Sequence, residues 1–519
     1  METSTYADFV LISNHIFTGE DDAVIPGFVA VKKGLVTAVG RKEDQGAWVG
    51  PDTVVRDFGD GLITAGFHDN HTFFTGSVLT TLGVDLSACG SVQEALDMLE
   101  QESGRHEAGA DLYGHGWDAS DWEQQPASEI LDERYPDRAV MLFNADRDYC
   151  WMNTRAMEKY HFSPEACNPE AVAELLQELV RRKDFIKGKF TEFSRELASR
   201  GITSIRDIAF DDYLGMLDVL EELKAEGNLK LRVHFSSQPN ARPVDFDFGE
   251  TASRKYQGDF IRFEGYKLMT DGIIAAFTGD LLEPYTNRPD TTNLKPVDYG
   301  KIHDAALEAD RRGFKVCIHA EGDAAVRKAV SILEACRQQS GRKFRHSIAN
   351  LELSHPDDLK RMAEQDIIAE VYSQILLMND SHDSSYMREF AGEDREGLFY
   401  NYGSMQRAGV RVTMGTDLPL MYPNIPDSLY AVSARLFPDG SPDGGWFKEN
   451  GMPVIDVLKA WTLHAAYHHG LEDKAGSLAA GKYADIAVLD RNPLEVPEED
   501  LRGLKVIFTM MNGEIVFEA

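Results

Sequence analysis

No run of 18 or more apolar residues occurs in the 519-residue chain, so a membrane-spanning helix is not expected. Basic charge is scarce: 53 Lys and Arg stand against 86 Asp and Glu, a formal net charge of −33, and no local basic patch offsets it. Nucleic acid and anionic membrane surfaces are therefore excluded as partners. Cysteine is scarcer still. The five residues Cys89, Cys150, Cys167, Cys317 and Cys336 are odd in number and form no CxxC pair, which excludes a disulfide scaffold and argues against a cysteine zinc site. The opening Met1-Glu2-Thr3-Ser4 has neither a basic nor an apolar signal region, and the expectation is a cytoplasmic protein. What the chain does have is 43% apolar and 27% charged residues, the balance of a globular protein able to bury a large core. Its length suits one large barrel plus an accessory domain as well as it suits several small domains.

Both ends read as short strands. Phe9 to Ile12, Phe28 to Val31 and Leu35 to Val39 are β-branched or aromatic runs broken by Gly34 and Gly40, and Ala484 to Asp490, Val506 to Met510 and Ile515 to Phe517 repeat that character. Between them, apolar strand-like runs alternate with amphipathic helical stretches. The runs are Ile63 to His71, Ile202 to Asp207, Leu231 to Phe235, Phe263 to Met269, Phe314 to His319, Phe344 to Ile348, Ile367 to Val371 and Val410 to Thr416. Eight continuous apolar strands alternating with helices predict a parallel, doubly covered sheet closed into a (β/α)8 TIM barrel, with its site at the C-terminal strand ends. The predicted organisation is an α/β chain with a barrel over 66–470, a helical insertion at about 89–199 above its mouth, and a small β-sandwich built from 1–65 plus 471–519.

Four polar residues stand where these strands run out: His71, Lys267, His319 and Asp417. Singly, each has an ordinary explanation, because strand-end histidines hydrogen-bond, aspartates cap helices and lysines snorkel. Together, at one end of four strands, they predict a shared site, since clustered polar groups inside a barrel need a partner or an ion to offset desolvation. Residues two apart in extended chain face the same side, so position 73 faces with His71, and that position is Phe73.

The segments Ala65-Gly66-Phe67-His68-Asp69-Asn70-His71, Gly116-Trp117-Asp118, Trp151 to Met157, Gly201-Ile202-Thr203-Ser204, His319-Ala320-Glu321-Gly322-Asp323, Gly415-Thr416-Asp417 and Gly476 to Ile486 resemble, in order and spacing, the motifs of the amidohydrolase superfamily, in its amidohydrolase 3 (YtcJ-like) branch. The resemblance covers nearly the whole chain. It implies a metal-binding barrel beside a β-sandwich, with His71 and His319 as metal ligands and Asp417 as ligand and proton acceptor for the attacking water. Lys267 falls where many members carry a carboxylated, metal-bridging lysine. The implied reaction is hydrolysis of an amide-like C–N bond in a small molecule, and the implied cofactor is one divalent metal ion, zinc first among the candidates.

Two expected ligands are replaced. The family's second strand-one histidine is Phe73, and its strand-six histidine falls on Asn350, a poor transition-metal ligand. A third change turns the family's "DGH" into Asp146-Arg147-Asp148. The expectation is a degenerate site holding at most one ion, with Lys267 contributing if carboxylated and His319, Lys267 and Asp417 carrying the chemistry. Phe73, Trp117, Asp148, Asn350 and Gln374 are the substrate-contact candidates. Tyr372, Leu376, Tyr386, Tyr422 and Trp446 in the later loops point to an apolar or aromatic group. Two alternatives stay open: a metal-independent enzyme using Lys267 or Asp417 as base or nucleophile, and a non-catalytic binding or regulatory homologue. The superfamily resemblance also implies a homodimer.

Overall fold

The computed structural model describes residues 6–107, 109–146, 148–167, 171–209, 214–239, 242–342, 344–378 and 385–519. Two compact units divide the chain: Met1–Thr72 with Thr191–Ala209 and Gly227–Ala519, and Phe73–Phe190 with Phe210–Glu226.

The first unit contains eight parallel strands paired in sequence order. They are β1 (Phe67–Thr72), β2 (Ile202–Ala209), β3 (Arg232–Ser237), β4 (Ile261–Met269), β5 (Lys315–Ala320), β6 (Ser347–Asn350), β7 (Ile368–Tyr372) and β8 (Val412–Gly415). Thr72 bridges Leu418 in parallel and the Asp417 N–H donates to the His71 carbonyl at 2.9 Å, which brings the end of β8 back to β1 and closes the barrel. The crossovers carry helices that bury one apolar stripe each. In Asp323–Ser340, Val326, Ala329, Val330, Leu333 and Cys336 recur at three- and four-residue spacing on the buried face, and Gly341 ends the helix at φ +64.

The same unit holds a second sheet made from both chain ends. Its order is Glu514–Glu518, Val506–Met511, Ile486–Leu489, Leu62–Ala65, Phe9–Phe17, Val24–Lys32, Leu35–Gly40, with Val54–Asp57 beside Phe9–Phe17. Leu11, Val29, Val31, Ile63, Ile486, Val488, Phe508 and Met510 form its core. The apolar run from Ile63 to His71 is therefore two strands in two sheets. Gly66 is the joint: its N–H donates to Asp485, and a Cβ there would meet Thr203 Oγ1 at 2.3 Å, so only glycine lets the chain turn this close to β2. Arg232 at the start of β3 ties the two sheets together, donating to both carboxylate oxygens of Asp485 at 2.6 and 3.0 Å while fully buried.

The second unit combines the helices Val92–Ser103, Ser128–Arg134, Thr154–Tyr160 and Ala173–Arg181 with a four-stranded sheet ordered Cys150–Met152, Val140–Asn144, Leu112–Trp117, Val84–Asp85. That sheet is absent from the sequence expectation of a helical insertion. Its strands are short, and one is interrupted by Gly114 and Gly116, so the alternation that marks a strand has no length in which to show. Among the described residues, no helix is long and apolar enough to cross a membrane.

Candidate active site

His71, Lys267, His319 and Asp417 meet at the C-terminal end of the barrel. His71, the fifth residue of β1, is fully buried, and its two ring nitrogens face different partners. Nδ1 lies 3.2 Å from Glu370 Oε2 on β7. A carboxylate can only accept, so Nδ1 carries the proton and Nε2 presents a lone pair. Nε2 in turn lies 2.9 Å from Lys267 Nζ on β4 and 3.6 Å from Asp417 Oδ1, just beyond β8.

His319 on β5 is oriented the same way by a different group. Its Nδ1 is 2.8 Å from Asn350 Oδ1 on β6, and the Tyr372 hydroxyl donates to that same amide oxygen at 3.1 Å. Among the described residues Nε2 has no hydrogen-bond partner, and it lies 3.8 Å from Asp271 Oδ1. Asp417 sits at φ +53, a left-handed conformation that short polar residues tolerate, and its Oδ1 is buried without a hydrogen bond among the described residues.

Burial fixes the charge states. Desolvation lowers the pKa of His71, and the neighbouring Lys267 lowers it further, so the imidazole is neutral. The same two causes push His319 down to about 3. Lys267 is itself lowered by burial, against the pull of Asp417. Burial works against ionising Glu370, but Arg206, donating from β2, together with His71 and His468 outweighs it and holds the carboxyl well below its ordinary range. The site thus offers two neutral imidazole lone pairs, an aspartate oxygen and a lysine of weakened basicity.

That donor set fits a divalent ion: His71 Nε2 and Asp417 Oδ1 are spaced for one cation, and the unpartnered Nε2 of His319 opens on the same end of the barrel. Among the described residues, however, the only three ligand atoms that lie within 4.8 Å of one another belong to His234, Glu264 and His469, not to this site.

The substrate-contact candidates divide between the two units. Asn350 is at the site, but as the acceptor that orients His319. Gln374 is buried and braces the following loop, donating to the Tyr422 carbonyl at 3.0 Å and accepting from Asn424 N–H at 3.0 Å. Phe73 is half-buried, follows the last residue of β1 in extended conformation and caps the helix Phe74–Leu79 of the second unit. Trp117 is packed within that unit against Trp122, Tyr149 and Trp151, its indole N–H donating to Leu142 at 2.8 Å. Asp148, also there, is exposed and accepts from the Asn144 amide at 2.7 Å. Arg147 lies outside the described residues.

Sequence reasoning passed over Glu370, Arg206 and Asp271. The first two carried a usable signal, a charge inside an otherwise apolar strand, the same one that marked Lys267. One consequence is testable at Asn350. Asn350→Leu removes the acceptor that fixes the His319 tautomer, and kcat/KM on a verified substrate is expected to fall by about 10–100-fold with the far-UV circular dichroism unchanged. Asn350→Asp, which keeps an acceptor, should recover most of the loss; equal activity of all three proteins would show that His319 needs no such support.

Comparison with known proteins gives one consistent result. The sequence model of the amidohydrolase family matches residues 54–517. The chain is 23% identical over 94% of its length to YtcJ of Bacillus subtilis (strain 168), whose name places it among the amidohydrolases, with 96% of that protein covered. It is 22% identical to the N-substituted formamide deformylase of Arthrobacter pascens, with 98% of each chain covered. Among solved structures, a metal-dependent hydrolase from Pyrococcus furiosus superposes with a TM-score of 0.77 at 22% identity, covering 94% of this chain and 100% of that one. A family match that runs from the terminal sheet through all eight barrel strands leaves one assignment: the chain belongs to the amidohydrolase family.

Proposed function

We propose that this protein hydrolyses a C–N bond of a small amide-like molecule at the barrel mouth, with one divalent ion held by His71, His319 and Asp417. The observation that carries the reading is the convergence of these residues with Lys267 at one end of the barrel, with both histidines neutral and turned Nε2-outward. When bound, such an ion supplies Lewis acidity, which brings the pKa of water towards neutrality and polarises a carbonyl. The chain supplies the rest. Asp417 accepts the proton of the attacking water and returns it to the departing nitrogen as the C–N bond breaks. Glu370 and Asn350 hold the two imidazoles in the required tautomer.

The formamide deformylase relative points to N-substituted formamides as the first substrates to try, and Tyr372 at the site suits an aromatic substituent. The test is amine release from a panel of N-alkyl and N-aryl formamides and acetamides, with zinc, manganese or cobalt supplied. Turnover of at least one member is expected; none across the panel would contradict the assignment. One observation favours a second reading. The Lys267 amine lies 2.9 Å from His71 Nε2, the lone pair an ion would need, which is the arrangement of a metal-independent site with Lys267 as base.

A further inference from the structure

Inside the same barrel, below the mouth, lies another group of titratable side chains. His234 is the third residue of β3, Glu264 the fourth of β4 and His469 the last of the helix Leu463–His469. His469 Nδ1 is 2.8 Å and His234 Nδ1 3.7 Å from Glu264 Oε1, and one ligand atom from each residue lies within 4.8 Å of the other two. Lys267, three residues beyond Glu264 on the same strand, belongs to the mouth, so the two groups are about 10 Å apart along the barrel at ~3.3 Å per strand residue.

This group has more hydrogen-bonding capacity than partners. Among the described residues, both nitrogens of His234, Nε2 of His469 and Oε2 of Glu264 are buried without a hydrogen bond, and so are both nitrogens of His68, whose ring lies 6.0 Å from that of His469. The side chains of His234, Glu264 and His469 are at most 2% exposed. Each such orphan is desolvated without compensation, so a fold that keeps several together calls for a shared partner. Neutral imidazoles and an ionised carboxylate present lone pairs, and a cation satisfies several lone pairs at once. Burial, with neighbouring positive charge, keeps the histidines unprotonated.

We propose that His234, Glu264 and His469 form a second divalent-cation site inside the N-terminal half of the barrel, separate from the mouth. Two imidazoles and one carboxylate are the donors that first-row divalent ions, zinc and cobalt among them, accept. Binding asks two adjustments of the structure. The rings of His234 and His469 stack at 4.2 Å and 11°, which sets their lone pairs side by side, so the His234 ring turns about its Cβ–Cγ bond; no hydrogen bond of its own opposes that turn. The proton on His469 Nδ1, now donated to Glu264, moves to Nε2. Two cations compete for the same carboxylate: Lys315 Nζ at 3.5 Å from Oε1 and Arg206 Nε at 3.8 Å from Oε2. Arg206 is committed to Glu370 and Ser236, while Lys315, which also donates to the His468 carbonyl, is the nearer of the two to Glu264 and the more direct competitor.

The competition supplies a test that does not depend on turnover. Cobalt(II) is titrated into metal-stripped protein by calorimetry and visible absorption, in the wild type, in the mouth variant His319→Leu/Asp417→Asn, in His234→Leu and in Lys315→Met. The mouth variant is expected to keep one equivalent with the absorption of a nitrogen and oxygen ligand set, and His234→Leu to lose that equivalent. Lys315→Met should tighten binding about tenfold or more. A mouth variant that binds no cobalt, or a His234→Leu protein that binds as the wild type does, overturns the site. Should His234→Leu fail to fold, an unchanged affinity in Lys315→Met does so independently.

Discussion

Asp417→Asn is expected to lower kcat/KM by about 10²–10⁴-fold, the usual weight of a positioned proton acceptor, while the protein folds and melts as before. The backbone at this position is fixed from both sides: the Asp417 N–H donates to His71 at 2.9 Å, and its carbonyl accepts from Leu420 N–H at 2.8 Å. At φ +53 asparagine is as well tolerated as aspartate, so the substitution changes charge and basicity but not shape. It leaves His71 Nε2 facing an amide in place of the anion 3.6 Å away. Steady-state kinetics on a verified substrate read the loss directly. Full turnover would remove Asp417 from the chemistry and with it the proton path proposed above.

The second large effect is on stability. Arg206→Met should cost about 3–5 kcal/mol, measured by urea unfolding, because it leaves buried carboxylates without their cation. Arg206 and Glu370 are among the most deeply buried charges of the barrel, each side chain at most 3% exposed, and Arg206 also donates to Ser236 at 3.1 Å. Glu370 then lacks its strongest stabilising neighbour while still serving His71, Ser347 and the approach of His468 at 3.6 Å. Replacing both partners, Arg206→Met with Glu370→Leu, should recover much of the loss, since two desolvated charges disappear together. Exposed ion pairs make the contrast, worth at most about 1 kcal/mol each. A cost for Arg206→Met as small as that would mean the barrel interior is far wetter than its burial shows.

The barrel was legible because its signal is local. Seven of the eight apolar runs correspond to single strands, and the mouth residues could be named because His71, His319 and Asp417 stand where a run gives out into a loop and Lys267 is a charge inside one. The remaining run, Ile63 to His71, holds two strands, one in each sheet, because an apolar stretch does not record which sheet it pairs with. Only the close approach of Gly66 to Thr203 separates the two strands. The same limit explains Glu370 and Arg206. Each is visible as a charge in a strand, but their pairing across 164 residues is a property of closure, not of sequence spacing. Asn350 was legible as a lost ligand and not as what it is in the structure, the acceptor that aims His319. Its role depends on the neighbouring strand β5 arriving beside it, with His319 paired to Ala349.

One measurement separates metal-assisted hydrolysis at the mouth from its lysine alternative. The enzyme is stripped with a chelator and assayed for formamide hydrolysis before and after zinc is returned, in the wild type and in His234→Leu, so that an ion deeper in the barrel cannot stand in for one at the mouth. Loss of activity on stripping and recovery with one equivalent in both proteins is the expected result. Stripped enzyme that keeps its full kcat/KM would contradict it and place the chemistry on Lys267.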